Sequence, residues 1–98
     1  MKNEDLRTLN DIGARIKWVR ETLNIKRSEV VVETMIPMTN FVGRENGIRT
    51  HYVEEYLSLA EFFAPRWKEK FKTNCPQLNG IEIKRITPMW LIFGIANE

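Results

Sequence analysis

Basic side chains, and not catalytic groups, are the chemically notable feature of this chain. The segment Arg66–Lys72 mixes basic residues with two aromatic ones and a single acid. Such a run is usually the solvated face of a helix, and otherwise a surface that contacts phosphate groups. The sequence has no Gly-rich phosphate loop, no nucleophile and base at a recognisable spacing, and no carboxylate pair in an apolar setting. We therefore expect a binding protein and not an enzyme.

Metal chemistry has equally little support. Cys75 and His51 are the only cysteine and the only histidine. A single cysteine excludes an internal disulfide and a cysteine-based zinc site. We expect Cys75 to be a bystander in a loop, and His51 to be exposed or to face a phosphate. No cofactor, metal or small-molecule ligand is expected.

Length and composition indicate a small globular protein. The 98 residues suit one domain, or one domain with an extension, and the net charge is only +2. Residues 1–50 carry nine basic against seven acidic groups, whereas residues 51–98 carry six of each. The longest apolar run, Met89–Ala96, is far shorter than the ~20 residues that span a bilayer. Because Met1–Leu6 has no signal-peptide core, we expect a cytoplasmic protein without membrane contact.

Apolar periodicity predicts an all-α bundle of about five helices, with an inserted segment and a last short helix. Ile12, Ile16, Val19 and Leu23 form one apolar stripe of a first helix. The predicted helices cover about 9–23, 27–35, 37–45, 50–64, 66–72 and 89–93, and a short strand is possible within 81–86. Three β-branched residues in a row, Val30–Val32, favour a strand by propensity alone and oppose the second helix.

Residues with special backbone preferences mark the ends of these elements. Pro65 is expected to end the fourth helix or to start the next element, and Asn79-Gly80 predicts a tight turn. Thr87-Pro88 offers a cap and a first-turn proline for the last helix, which Gly94 closes.

The stretch Ile36–Gly47 is the part of the chain that points to a function. It predicts a short helix closed by Glu-Asn-Gly, since Gly47 can adopt the left-handed conformation that ends a helix. A short helix precedes it across a tight turn. Two such helices, the second rich in small and polar groups, are typical of a helix-turn-helix that binds DNA.

Over about Leu9–Ala64, and again at Thr87–Gly94, the chain resembles the lambda-repressor-like, Cro/Xre-type helix-turn-helix family. The residues that carry the resemblance are Ile12-Gly13-x-x-Ile16 with Arg20, Glu45-Asn46-Gly47, Val53…Leu59-Ala60…Phe63, and Pro88-x-Trp90-Leu91-x-x-Gly94. Their order and spacing carry the similarity, because no single piece is specific.

The resemblance implies roles for individual residues. Arg20 and Glu45 match an ion pair that holds the first helix against the end of the third. The implied phosphate contacts are Arg27 and Asn46, and Lys26, Arg49 and His51 are further phosphate candidates. The implied base contacts are Met38, Thr39, Asn40, Gly43 and Arg44.

Several positions depart from the family pattern. Met35 stands where the turn usually has glycine, and Pro37 replaces the serine or threonine cap of the third helix. Lys26 occupies the usual cap of the second helix, and the alternative start of that helix is therefore later, near Ser28. Arg44 replaces an inward apolar residue, and we expect it to swing toward the groove, where arginine can bind guanine through two hydrogen bonds.

The C-terminal third is expected to serve dimerisation. We divide the chain into a helix-turn-helix domain, 1–65, and an extension, 66–98, that packs on it. The alternative for Trp90–Phe93 is that it closes the core against the first and fourth helices. The dimer candidates are Trp67, Phe71, Ile81, Ile83, Trp90 and Phe93, because large apolar groups are favoured at interface centres.

Together these features predict a sequence-specific transcriptional regulator, a repressor that binds double-stranded DNA as a homodimer, of the kind typical of bacteria and phages. The alternative is a helix-turn-helix fold that binds a protein, as an antitoxin-like partner does. The aliphatic third helix, with Gly43 in it, keeps that alternative open.

Overall fold

Most of the chain has apolar residues at helical spacing, and it forms helices whose apolar sides pack into one core. The computed structural model describes residues 9–48 and 53–95. These two ranges contain five helices and one short hairpin, which confirms the predicted all-α bundle with a minor strand element. In chain order the elements are α1 (Leu9–Thr22), α2 (Arg27–Thr34), α3 (Met38–Glu45), α4 (Val53–Lys70), β1 (Gln77–Leu78), β2 (Ile81–Glu82) and α5 (Pro88–Phe93).

One core receives side chains from all five helices and from Ile83 and Ile86 after the hairpin. α1 packs against α3 and α5, α2 against α3 and α4, and α4 against α5. The largest fully buried side chains are Ile16, Val19, Val30, Phe41, Leu59, Phe63, Trp67 and Leu91. Full burial of one such side chain contributes about 1.5–3 kcal/mol. None of the helices in the described ranges is long and apolar enough to cross a membrane.

The three consecutive valines belong to a helix and not to a strand. Val30 is fully buried, Val31 is partly buried, and Val32 is 71% exposed. Three neighbours on a helix point in three directions, so only one of them needs to reach the core. Packing against α3 and α4 outweighs the small helix penalty of β-branched side chains.

Pro65 does not end α4, which contradicts the sequence prediction. The helix continues to Lys70, so residues 66–72 are not a separate fifth helix, and a domain boundary at 65/66 would cut through α4. Proline inside a helix costs ~3 kcal/mol. The last turns compensate by burying Trp67, whose indole N–H donates to the Ile83 carbonyl at 2.9 Å. Residues 66–70 therefore continue α4 and place Trp67 in the core, while the other four side chains are exposed.

The hairpin follows from the Asn-Gly turn. Asn79 and Gly80 both have positive φ, 54° and 80°, as a two-residue hairpin turn requires. Gln77 pairs with Glu82, and Leu78 with Ile81, in antiparallel register. The strand is shorter than the predicted 81–86, because the chain then turns inward and buries Ile83 and Ile86.

The last helix begins and ends as its capping residues predict. The Thr87 hydroxyl accepts a hydrogen bond from the Trp90 backbone N–H at 3.1 Å. Gly94 adopts the left-handed conformation, and its N–H donates to the Trp90 carbonyl at 2.7 Å. α5 thereby buries Trp90 and Leu91 in the core.

Candidate nucleic-acid interface

The turn between α2 and α3 is built without glycine. Met35 closes α2 in the left-handed conformation, with φ 66°, and its N–H donates to the Val31 carbonyl at 2.9 Å. Its side chain is 83% exposed, whereas the next residue, Ile36, is buried. Met35 thus adopts a backbone conformation that favours glycine, at the cost of steric strain that glycine would avoid.

Pro37 begins α3 through its backbone alone. It is the N-cap residue, in an extended conformation, and offers no side-chain oxygen to the first turn. Its carbonyl accepts the first helical hydrogen bond from the Phe41 N–H at 2.9 Å. The turn also holds Thr34, whose hydroxyl donates to the Val30 carbonyl at 2.8 Å. Backbone bonds and the burial of Ile36 therefore fix the angle between α2 and α3.

Lys26 is the N-cap residue of α2, which settles where that helix begins. α2 starts at Arg27 and not later, at Ser28. The Lys26 backbone N–H donates to the Glu29 carboxylate at 3.0 Å, and the Lys26 side chain is exposed. A cation therefore stands at the first turn of α2.

The C-terminal end of α3 is held by one buried carboxylate and two arginines. The Arg20 guanidinium donates to both Glu45 oxygens, from Nε at 2.7 Å and from a terminal nitrogen at 3.2 Å. Arg27 donates from Nε to the same carboxylate at 2.9 Å. The Glu45 side chain is fully buried, while that of Arg27 is 35% exposed. The predicted Arg20–Glu45 pair is present, and Arg27 joins it.

Arg44 does not reach toward a groove, so its expected role as a base contact is wrong. The residue is only 5% exposed, and its guanidinium lies 2.7 Å from the Glu55 carboxylate of α4. Gly43 is buried too, which removes a second predicted base contact. The Glu55 carboxylate, whose side chain is 18% exposed, keeps the arginine inside, because moving the arginine out would break an ion pair that is largely shielded from water.

The outward surface of α3 is formed by small and apolar groups. Thr39 and Met38 are exposed, and Asn40 is half-buried. Val42, which the sequence prediction omitted, is half-buried and stands three residues after Thr39 on the same side of the helix. Asn46, exposed at the C-cap, continues this side. The i, i+3, i+7 spacing of Thr39, Val42 and Asn46 is the signal that would have identified Val42.

The candidate phosphate contacts are only partly described. Lys26 and Asn46 are exposed, and Arg27 is partly exposed beside Glu45. Arg49 and His51, together with the predicted cap Thr50, lie outside the described residues.

Three of the six dimer candidates are core residues of a single chain. Trp67, Ile83 and Trp90 are at most 2% exposed, so they cannot form an interface without unfolding. Phe71 and Phe93 are partly buried. Ile81, on β2, is the one candidate that is well exposed, at 53%. The alternative for Trp90, that it closes the core, is correct.

The sequence prediction also missed how α1 holds the C-terminal elements. Arg15 is buried, and its guanidinium donates to the carbonyls of Leu91 and Ile92, at 2.9 and 2.7 Å. These are last-turn carbonyls of α5, which have no partner within the helix. Burial lowers the pKa of Arg15, and the charge of Asp11 opposes this shift. The guanidinium nevertheless keeps its proton, as arginine does throughout proteins.

A cluster of aromatic rings lies beside Arg15. The Trp18 ring centroid is 5.5 Å from that of Trp67 and 6.0 Å from that of Trp90. Phe71 extends the cluster, at 4.7 Å from Trp67. Next to these rings a cavity of about 250 Å³ opens between α1, the hairpin and the end of α5. Across residues 9–48 and 53–95, no group of three His, Cys, Asp or Glu side chains could hold a metal ion.

Comparisons of the chain with protein-family models, with curated proteins and with solved structures gave no match. The helix-turn-helix family therefore remains a prediction from the sequence.

Proposed function

We propose that the chain is a sequence-specific DNA-binding regulator that places α3 in the major groove. The observation that carries this proposal is the two-sided character of α3. Its inner side is fixed by Phe41 and by the Glu45 ion pairs, while Thr39, Val42 and Asn46 face outward beyond a short turn from α2. A helix with a rigid inner side and a free outer side is what a groove-binding helix requires.

Cations at the start of α2 support phosphate binding beside α3. Lys26 is exposed, and the first N–H groups of α2 favour an anion there. Arg27 bonds Glu45 through Nε, and its guanidinium has two further nitrogens that can donate to a phosphate. Glu45 would then hold Arg27 at the right place for that contact. Phosphate bonds of this kind set the position of a protein on DNA without selecting a sequence.

The proposed mechanism is repression by occlusion. Two copies of the chain would place their α3 helices in successive major grooves, ~34 Å apart, and block access of polymerase. Exposed apolar side chains available for a homodimer include Ile81, Met89 and Ile95 near the C-terminal end, as well as Val53 and Leu57 on α4. Such a regulator would act in the cytoplasm of a bacterium, or be encoded by a phage.

The test is selection of bound duplexes from a random-sequence library, followed by affinity measurements at rising salt. The expected result is one enriched, two-fold symmetric sequence whose affinity falls steeply with salt. Lys26→Ala should weaken binding to all sequences and lower the salt slope by about 1. The matched control is Lys84→Ala, which removes an exposed lysine between β2 and α5 and should change neither quantity. No enriched sequence together with salt-independent binding would contradict the proposal.

The second candidate function is binding of a partner protein. Its support is the exposure of apolar side chains along α2, the turn and α3: Val32 is 71%, Met35 83% and Met38 41% exposed. Apolar groups clustered at such a surface are typical of protein interfaces. Replacing Met35 and Met38 by serine should then abolish co-purification of a partner. Under the DNA proposal, Met35→Ser should leave the affinity for the selected duplex almost unchanged.

A further inference from the structure

The position of Arg44 decides which bases α3 can recognise. Arg44 is the one cationic side chain of α3, and it is buried against Glu55. The commonest specific contact to guanine comes from an arginine or lysine that bonds O6 and N7. With Arg44 held inside, the outer side of α3 has no such group. The outer side therefore lacks the usual means of selecting a G·C pair.

The side chains that do face outward carry methyl groups. Thr39 and Val42 stand one turn apart on the same side of the helix, and Met38 precedes them at 41% exposure. In the major groove, thymine is marked by its 5-methyl group, which packs against the methyl groups of threonine or other apolar side chains. Asn40, half-buried in the first turn, is of the type that bonds adenine N6 and N7.

Resting on the proposed function, we infer that α3 selects A·T base pairs, and that it does so through thymine methyl groups packed against Thr39 and Val42. Specificity would then come from contact between apolar groups and not from guanidinium bonds. The buried Arg44–Glu55 pair is part of this specificity, because it withdraws the side chain that would otherwise favour guanine.

The experiment compares the selected duplex with the same duplex carrying deoxyuridine at the thymines that face α3. This exchange removes only the methyl group and keeps base pairing. Each methyl lost from an apolar contact should weaken binding roughly fourfold. Thr39→Ser keeps the hydroxyl and removes the methyl, so in this variant the thymine and deoxyuridine duplexes should bind more nearly alike. Val42→Ala is the second variant, and Thr73→Ser, in the loop after α4, is the matched control.

Four outcomes decide the matter. A·T pairs at the α3 positions, with a deoxyuridine effect that shrinks in Thr39→Ser or Val42→Ala, support the inference. G·C pairs at those positions overturn it and leave the proposed function standing. A deoxyuridine effect unchanged in both variants also overturns it, since the methyl groups are then recognised elsewhere. Failure to enrich any sequence overturns the proposed function, and the inference with it.

Discussion

The end of α3 and the tryptophan cluster both attach α1 to its neighbours, but by opposite physical means. At the end of α3, a fully buried carboxylate receives hydrogen bonds from two arginines. In the tryptophan cluster, Trp18 meets Trp67 and Trp90 at ring distances of 5.5 and 6.0 Å. The first contact is almost entirely polar, and the second is almost entirely apolar.

The difference suggests a division between geometry and stability. A buried ion pair gains little net free energy, because desolvation of its charges offsets their attraction, but its hydrogen bonds fix directions closely. Aromatic burial contributes large apolar areas and about 0.5–1.5 kcal/mol more per ring pair. We infer that the tryptophan side of α1 stabilises the fold, and that the Glu45 side orients α3.

The largest effect is expected from Glu45→Ala. This substitution leaves Arg20 and Arg27 close together without their shared anion, in a partly buried place. Loss of one partner from a buried pair costs about 3–5 kcal/mol. Urea unfolding followed by tryptophan fluorescence should show the midpoint fall accordingly.

A triple variant separates geometry from stability at the same place. Arg20→Met, Arg27→Met and Glu45→Leu together remove every charge of the network and fill its volume with apolar groups. Such replacements are often neutral or stabilising, so unfolding should stay within about 1 kcal/mol of the parent chain. If the triple variant is as unstable as Glu45→Ala, the charged network stabilises the fold and our comparison is wrong.

Gly13→Ala tests how closely α1 must approach the end of α3. A Cβ at Gly13 would lie 2.3 Å from the Arg44 carbonyl oxygen and 2.7 Å from that of Glu45, and both are backbone atoms that cannot rotate away. Glycine to alanine in a helix normally gains about 1 kcal/mol. Here overpacking should reverse the sign, to a loss of about 1–3 kcal/mol.

The control for Gly13 is its exposed neighbour. Ala14→Ser should change unfolding by less than about 0.5 kcal/mol. A Gly13→Ala chain that is more stable than the parent would show that α1 and α3 separate easily, and thus that the ion pairs do not fix α3.

Trp67→Phe tests the apolar side. Phenylalanine keeps an aromatic ring but loses the N–H that bonds the Ile83 carbonyl at 2.9 Å, leaving a buried acceptor unsatisfied. The expected loss is about 1–2 kcal/mol. Trp18→Phe is the matched control, since Trp18 shares the ring contacts and is only partly buried. Equal losses in the two variants would mean that the Ile83 bond contributes nothing.

Local signals predicted the fold well, and tertiary contacts explain what they missed. Some features depend only on residues close together in the chain, so they can be recognised from the sequence. They are the apolar stripe of α1, the Thr87 cap, the Gly94 C-cap and the Asn-Gly turn. The prediction for Pro65 was wrong because the residues after it are held in the helix by the burial of Trp67. The indole N–H of Trp67 donates to the Ile83 carbonyl, sixteen residues further along the chain. A local rule cannot include that contact.

The candidate site was harder to predict for the same reason. Arg44 looks like a surface residue in the sequence, and only the position of Glu55 on α4 shows that it is held inside. Arg15 likewise looks exposed until α5 brings the carbonyls of Leu91 and Ile92 to it. The Arg20–Glu45 pair was predicted from the family resemblance, whereas the bond from Arg27 to the same carboxylate was not, because it depends on how the start of α2 packs against the end of α3. The burial and orientation of these charged side chains thus depend on partners that are distant in the sequence.

The smallest effect, and the only gain, is expected at the turn that sets α3 on α2. Met35 holds a left-handed conformation at φ 66° with an exposed side chain, so glycine there should relieve strain worth about 1 kcal/mol, partly offset by its greater freedom when unfolded. Asn24 ends α1 at φ 59° and is also exposed, but asparagine tolerates this conformation. Met35→Gly should therefore raise the thermal midpoint, and Asn24→Gly should not. If Met35→Gly lowers the thermal midpoint instead, the Met35 side chain stabilises the fold by more than its backbone strain costs.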